Sequence, residues 1–321
     1  MPRTFLIDTD TASDDAVALI MALRTPDVHV AGITVVWGNV PVEQGVRNAL
    51  FVTELCDADV PVFQGAGRPL VREPSNAQWF HGRDGLGDHG FAPARRAKAK
   101  DDAVDALLAM ARRWPGAVLV TLGPLTNVAQ ALERDADFAR YISRAVVMGG
   151  AACTVGNVTP AAEYNVWADP DAARAVFRSQ LPVEMVGWEL CRGPANLNAD
   201  EMAGIRALGT PLAHFALDCN SAAIEANRLQ SGDIGLSLPD PVAMGIALDP
   251  TLCTERSRHY VEVEAESDLT RGMTVVDALN VAADDRNRTT WAALINRGQK
   301  ATVCWKLDIA RWKALVLQSL T

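Results

Sequence analysis

The sequence has 321 residues, of which 49% are hydrophobic and 21% are charged, so it can bury a substantial core. Its net charge of −9 argues against a nucleic-acid partner, because contacts to a phosphate backbone depend on clustered Lys and Arg. We expect a single domain spanning residues 1–321.

Short β-branched segments alternate with helical patterns, which is typical of an α/β fold with a mostly parallel central sheet flanked by helices. In chain order we predict a strand at 5–7, a helix at 14–23, a strand at 28–36, a helix at 43–55, a strand at 118–120, a helix at 125–132, a strand at 145–148, and helices at 170–177 and 241–248. Two long segments, 64–99 and 149–169, have no such pattern. Since ligands of parallel sheets bind beyond the carboxyl ends of the strands, we expect these segments to border the functional site.

The sequence contains no run of the roughly 20 apolar residues that a membrane span requires. The first residues lead directly into an apolar segment without the pattern of a signal peptide. The six cysteines are far apart and form no CxxC pair, which is typical of reduced thiols inside a cell. We therefore expect a cytoplasmic protein without a membrane partner.

Four acidic residues follow the first predicted strand: Asp8, Asp10, Asp14 and Asp15. Carboxylates held this close repel each other unless a cation offsets their charge, and carboxylate oxygens suit Mg²⁺ or Ca²⁺. The alternative is that Ser13 and Asp14 only cap the helix that follows. We favour a metal site, because the acids stand at the end of a buried strand.

These acids begin a series of motifs that continues along the chain. The segment from Asp8 reads DTDTASDDAVAL, and the later motifs are GN at 38–39, HG at 81–82 with DGLG at 84–87, GPLTN at 123–127, MGG at 148–150, GN at 156–157, AEYN at 162–165, DP at 240–241 and LTRG at 269–272. In this order they resemble the inosine-uridine-preferring nucleoside hydrolase family. The resemblance implies a Rossmann-like fold and hydrolysis of the N-glycosidic bond of ribonucleosides, giving ribose and a free base.

The resemblance also implies a Ca²⁺ site formed by Asp10, Asp15, the backbone carbonyl of Leu122, and Asp240, with the ribose 2′- and 3′-hydroxyls completing the coordination. Because Ca²⁺ takes about six to eight oxygen ligands, this set leaves room for the hydroxyls and for water. Asp10 is the predicted general base for a metal-bound water. For Asp240 the alternative is a helix N-cap before Pro241.

Further residues match the family's substrate-binding positions: Asn39, Asn157, Glu163 and Asn165 on the sugar, with Asp14 as an additional ribose contact. Taken singly, each Asn would favour a simple turn, and it is their order along the chain that supports sugar binding. Met148 is predicted to line the pocket for the base, and a core position is its alternative.

One position departs from the family pattern. Many members carry His before the last metal-binding Asp, where it assists the leaving base, and here that position is Pro239. His81 is therefore the predicted leaving-group residue, because the ordinary pKa of histidine suits proton transfer. Trp79 is predicted to stack on the base. Trp188 is interpreted as core packing, and Arg228 is a further candidate for a base contact.

Two other functions remain open. A haloacid-dehalogenase-like phosphatase also begins with a DxDx[TV] loop, in which Asp8 would be the nucleophile and Asp10 the acid beside Mg²⁺, with Asp88 and Asp233 as later acids. A metal-dependent ribose- or nucleoside-binding protein with little turnover would explain Pro239. The resemblance implies a nucleoside as the small-molecule partner and a homodimer or homotetramer, and it leaves purine, pyrimidine and modified bases open.

Overall fold

The computed structural model describes residues 2–231 and 235–321, so the candidate Asp233 lies outside the described residues. The strands are β1 (Arg3–Thr9), β2 (Val28–Val35), β3 (Val62–Gln64), β4 (Ala117–Thr121), β5 (Ile142–Met148), β6 (Val183–Val186), β7 (Cys253–His259), β8 (Val261–Val263), β9 (Thr274–Val276) and β10 (Ala301–Leu307). Eight of them form one sheet in the order β3-β2-β1-β4-β5-β6-β10-β7. Every pair in this sheet is parallel except β10 with β7. β8 and β9 form a separate antiparallel pair.

The helices are α1 (Ser13–Leu23), α2 (Val42–Leu55), α3 (Gln78–His81), α4 (Ala103–Arg113), α5 (Thr126–Arg134), α6 (Phe138–Tyr141), α7 (Tyr164–Ala168), α8 (Pro170–Phe177), α9 (Ala199–Ala207), α10 (Pro211–Asp218), α11 (Ser221–Ser231), α12 (Pro239–Leu248), α13 (Ala292–Ile295) and α14 (Ile309–Ser319). Among the residues that the structure describes, no helix has both the length and the apolar character that crossing a bilayer requires.

Helices cover both faces of the sheet. Successive side chains of a strand point to opposite faces, so a strand buried on both sides contributes to two cores. In β1, Phe5 and Ile7 pack in one hydrophobic cluster with α1, α2 and α12. Leu6 packs in the other cluster with α4, α5 and α8. The predicted α/β fold with a mostly parallel central sheet flanked by helices is confirmed.

The predicted elements begin and end within three residues of the observed ones. The two segments predicted to be irregular each contain a short helix, α3 in the first and α7 in the second. The other elements outside the predicted set are β3, β6–β10, α4, α6, α9–α11, α13 and α14. β7, for example, is an edge strand whose five middle residues are exposed.

The strand order creates a crevice at the centre of the sheet. From β1 the chain moves to β2 and β3 on one side, and it then returns to β4 on the other side of β1. An open parallel sheet binds ligands at such a reversal, beyond the carboxyl ends of its strands. Asp10 directly follows β1 and Leu122 directly follows β4, so both lie at this crevice.

Candidate active site

A cavity of about 330 Å³ opens at the carboxyl ends of the central strands. This volume lies in the range of pockets that bind small molecules. Ten of the predicted site residues line it: Asp14, Asn39, Trp79, His81, Leu122, Met148, Asn157, Glu163, Asn165 and Asp240. The other two, Asp10 and Asp15, are fully buried beside this cavity and interact with Asp14 and Asp240. The structure therefore brings all twelve predicted residues to one site.

The acidic residues form a compact group at the base of the cavity. Carboxylate oxygens of Asp14, Asp15 and Asp240 lie within 4.8 Å of one another, so they could hold one metal ion. Asp10 lies close enough to this group for the charge of Asp15 to raise its pKa. Asp14 was predicted to contact ribose and not the metal, but the structure places it in the same group as the predicted ligands.

The turn between β1 and α1 holds the side chain of Asp15 in place. Thr11 has a φ of 34°, a left-handed conformation that β-branched residues rarely adopt and that often marks a functional site. After this turn, Asp15 accepts hydrogen bonds from the Thr9 hydroxyl and from the backbone N–H of Ala12, the latter at 2.9 Å. The N-cap of α1 is Ala12, which has no side-chain cap, so the proposed capping by Ser13 or Asp14 is wrong.

The amino ends of two helices meet at the acidic group. Asp14 and Asp15 lie in the first turn of α1, and Asp240 lies in the first turn of α12. The positive end of a helix dipole stabilises carboxylates in this position. Asp240 lies inside α12, whose N-cap is Leu238 and whose first residue is Pro239, so the alternative of an N-cap at Asp240 is wrong.

Two glycines leave space for the Asp10 side chain. A Cβ atom at Gly38 would overlap Asp10 Oδ2, and a Cβ atom at Gly123 would lie 3.0 Å from Asp10 Cβ. The backbone N–H of Asn39 donates to Asp10 Oδ2 at 2.6 Å. The conformation of Asp10 is thus fixed. The space that its side chain needs explains why these positions in two of the motifs are glycines.

Burial and mutual repulsion disfavour the ionised form of these acids. Burial is the largest cause of the raised pKa of Asp10, Asp14, Asp15 and Asp240, and it raises the pKa of Asp14 to about 7. The charge of Asp15 adds to the increase for Asp10, Asp14 and Asp240. Asp10 Oδ1 and Asp14 Oδ1 are buried without a hydrogen-bond partner. A cation would offset the unfavourable negative charge and would give the unpartnered oxygens a partner. The group is therefore suited to bind a hard divalent cation.

The predicted sugar-binding residues are joined by hydrogen bonds in the loop after β5. Glu163 caps α7, where its carboxylate accepts from the backbone N–H groups of Asn165 and Gly150, both at 2.8 Å. Burial raises the pKa of Glu163 to about 7. Asn165 Nδ2 donates to the carbonyl of Leu122 at 2.8 Å. This carbonyl has a second lone pair, so it can also accept a ligand.

His81 lines the cavity at the end of α3, with its Nδ1 2.8 Å from Ser13 Oγ. Burial lowers the pKa of His81 to about 3, so the imidazole is neutral near pH 7. The expectation of an ordinary histidine pKa was therefore wrong, because a motif does not reveal how deeply its loop is buried.

The aromatic candidates differ in their positions. Trp79 lines the cavity with 67% of its surface exposed, so it is available to a ligand. Trp188 packs against the hydrophobic core, as interpreted, and it also lines the cavity. Met148 is buried and also lines the cavity, so both of its interpretations apply. Arg228 pairs with Glu225 at 2.6 Å on the outside of α11, which argues against a base contact.

Sequence reasoning missed several residues that line the cavity: Phe80, Tyr164, Trp167, Arg192, Asn196, Asn220, Asn227 and Ser237. Tyr164 lies within a recognised motif and could have been included. Asn220 directly precedes α11, and Asn227 lies within this helix seven residues later. That spacing favours one side of the helix, but it predicts a role only once the helix is known to border the cavity.

Asp8 lies within β1, where its side chain is bound by neighbouring residues. Its Oδ1 accepts hydrogen bonds from Thr34 on β2 and from Asn127 Nδ2, and the residue is fully buried. It does not line the cavity. A phosphatase nucleophile must reach its substrate, so this position argues against the haloacid-dehalogenase-like interpretation.

Comparison with known proteins agrees with this geometry. Residues 5–314 match the sequence model of the family described as inosine-uridine preferring nucleoside hydrolase. The pyrimidine-specific ribonucleoside hydrolase RihA of Salmonella gallinarum is 35% identical over 301 residues, which cover 93% of this chain and 96% of that protein.

Two solved structures are similar over almost their whole length. The plant nucleoside hydrolase PpNRh1 has a TM-score of 0.93 and 29% identity, with 100% of this chain and 99% of that chain covered. The purine-preferring ribonucleoside hydrolase from Gardnerella vaginalis has a TM-score of 0.88 and 30% identity, with 99% and 98% covered. The chain therefore belongs to the inosine-uridine-preferring nucleoside hydrolase family, whose members hydrolyse the N-glycosidic bond of nucleosides.

Proposed function

We propose that this protein hydrolyses ribonucleosides to ribose and a free base in a Ca²⁺-dependent reaction with Asp10 as the general base. The observation that carries this proposal is the buried group of four carboxylates at the base of a cavity of about 330 Å³. A hydrolase of this kind must hold the ribose, activate a water and stabilise the departing base.

Asp10, Asp15, Asp240 and the carbonyl of Leu122 would hold the cation. When bound, Ca²⁺ supplies a Lewis acid that orients ribose hydroxyls and increases the acidity of a coordinated water. Calcium is favoured over softer metals because the donors are oxygen atoms only. Asp14, which lies both in the acidic group and at the cavity wall, would contact a ribose hydroxyl.

Asp10 is suited to take a proton from the attacking water. Its Oδ2 is held by the N–H of Asn39, whereas its Oδ1 has no protein partner. The unpartnered Oδ1 is therefore the atom that can accept the proton of the water. Asn39, Asn157, Glu163 and Asn165 would surround the sugar from the loops after β2 and β5.

His81 would assist the leaving base in place of the family histidine that Pro239 replaces. Because the imidazole is neutral, it acts by donating a hydrogen bond, as neutral histidines do in other enzymes. Trp79 and Trp188 offer aromatic surfaces against which a base can stack.

His81→Ala tests this role. We expect kcat/KM for natural nucleosides to fall by about 100-fold, because a positioned proton donor contributes at least that much. For p-nitrophenyl riboside, whose leaving group needs little help, the loss should be much smaller. Steady-state kinetics on both substrates measures the difference. Equal losses on the two substrates would remove His81 from leaving-group assistance.

Ribose release from a nucleoside panel tests the function itself. The panel should contain purine and pyrimidine nucleosides, because RihA is named pyrimidine-specific and the Gardnerella enzyme is named purine-preferring. We expect free ribose and base in the presence of Ca²⁺ and loss of release with a chelator. Thermal stabilisation by nucleosides without release would instead favour a binding protein. Phosphate release from a phosphomonoester with Mg²⁺ would favour the phosphatase alternative.

A further inference from the structure

Within the described residues, Ser13 is the hydrogen-bond partner of the His81 side chain. Ser13 Oγ lies 2.8 Å from His81 Nδ1, and Ser13 is fully buried. Asp14 Oδ1 is 3.9 Å from the same nitrogen, beyond hydrogen-bond distance. Ser13 is therefore the group that determines what Nδ1 can do.

The protein backbone holds both partners in place. The carbonyl of Ser13 accepts hydrogen bonds from Asn220 Nδ2 at 3.3 Å and from Cys219 Sγ at 3.5 Å, at the start of α11. On the other side, the carbonyl of His81 accepts from the N–H of Gly87 at 2.9 Å. Gly82 ends α3 with a φ of 88°, a left-handed conformation that favours glycine. The Ser13–His81 contact is thus built from two fixed segments.

The direction of this hydrogen bond determines the tautomer of the ring. A neutral imidazole has one N–H donor and one acceptor nitrogen, and the hydrogen bond at one nitrogen determines the role of the other. When the Ser13 hydroxyl donates to Nδ1, the ring proton is on Nε2. Because Nδ1 is engaged by Ser13 and the ring lines the cavity, Nε2 is the nitrogen available to a ligand.

We infer that Ser13 is a positioning residue, which holds His81 as the Nε2–H tautomer so that the ring donates a hydrogen bond to the departing base. The inference rests on the proposed role of His81 in leaving-group assistance. It also accounts for a serine hydroxyl within the first turn of α1, where the helix has no side-chain cap.

A comparison of four proteins tests the role of Ser13 separately from the role of His81: wild type, Ser13→Ala, His81→Ala and the double variant. We expect Ser13→Ala to lower kcat/KM for a natural nucleoside by about 10- to 100-fold, the usual effect of losing a group that orients an active-site histidine. The value for p-nitrophenyl riboside should change by less than about threefold, since that leaving group needs little assistance. The double variant should be no slower than His81→Ala, because Ser13 acts through His81.

Ser221→Ala is a matched control. Ser221 Oγ lies 2.8 Å from His89 Nε2, so it makes the same kind of bond between α11 and the loop after α3, but neither residue lines the cavity. This variant should keep wild-type kinetics on both substrates. Ca²⁺ titration of the Ser13 variants should give the wild-type affinity, because the inference assigns Ser13 no role in metal binding.

Each result decides between the two ideas. Equal losses on both substrates in Ser13→Ala, or no loss where His81→Ala is selective, would overturn the inference and leave the role of His81 intact. Equal losses in His81→Ala would remove the proposed role together with the inference. Should Ser13→Ala fail to fold, Ser13→Cys keeps the size and a weak donor, and a partial loss confined to the natural nucleoside is then expected.

Discussion

Asp10→Asn is expected to lower kcat/KM for ribonucleoside hydrolysis by on the order of 10³-fold or more, because it removes both the general base and a metal ligand. The substitution keeps the size of the side chain and an oxygen that can accept from the N–H of Asn39. Since burial and Asp15 disfavour the ionised carboxylate, the metal-free variant should unfold at or above the wild-type temperature. Steady-state kinetics and thermal unfolding measure the two effects.

Asp8→Asn is the control for this prediction. Asp8 is a buried acid two residues earlier, but it faces Thr34 and Asn127 and does not line the cavity. Its variant should retain most of the wild-type kcat. Near-wild-type kcat in Asp10→Asn, or an equal loss in the Asp8 variant, would defeat the assignment of Asp10.

Removal of Ca²⁺ is expected to abolish hydrolysis and to destabilise the protein more at about pH 8 than at about pH 5. The direction of this pH dependence follows from the raised pKa values of the buried acids. The pKa of Asp14 is about 7 in the folded protein without metal, against an ordinary value of 3.8. Between these values the folded state binds more protons than the unfolded state, so the free energy of unfolding falls as the pH rises. Above about pH 7 both states are ionised at this group and the fall ends.

Bound Ca²⁺ offsets the carboxylate charges, so the loaded protein should lack this part of the pH dependence. The measurement is the difference in Tm between Ca²⁺-loaded and chelated protein across this pH range. This difference in Tm should be small at about pH 5 and large at about pH 8. Acidic residues elsewhere affect both samples alike and cancel in the difference. A difference that is constant with pH would show that the buried acids do not bind the ion.

The sequence predicted the sheet and the acidic group because both depend on local signals. Short apolar runs that are buried on both faces mark β1, β4 and β5. Asp10, Asp14 and Asp15 lie within six consecutive residues after β1. Asp240 was found only through the order of the motifs. The fold explains its place, since α12 packs directly against α1 and the first turns of both helices meet.

Other properties of the site depend on contacts between distant segments, and no local pattern reveals them. The low pKa of His81 results from burial by neighbouring elements, and its contact with Ser13 joins residues 68 positions apart. Trp188 packs against the core, as its sequence suggests, but it is also the first residue of a short helical turn and lines the cavity. Asp10 lies at the site and Asp8 does not, because β1 ends between them: Asp8 is still within the sheet and Asp10 is beyond it.

The most direct test of this account is a crystal structure of the protein grown with Ca²⁺ and a slowly hydrolysed nucleoside analogue, with an anomalous difference map to locate the ion. The account predicts one calcium peak bounded by the carboxylates of Asp10, Asp15 and Asp240, with two sugar hydroxyls at about 2.3–2.6 Å from it. A map that showed only water among these side chains, with the analogue bound elsewhere or absent, would contradict it.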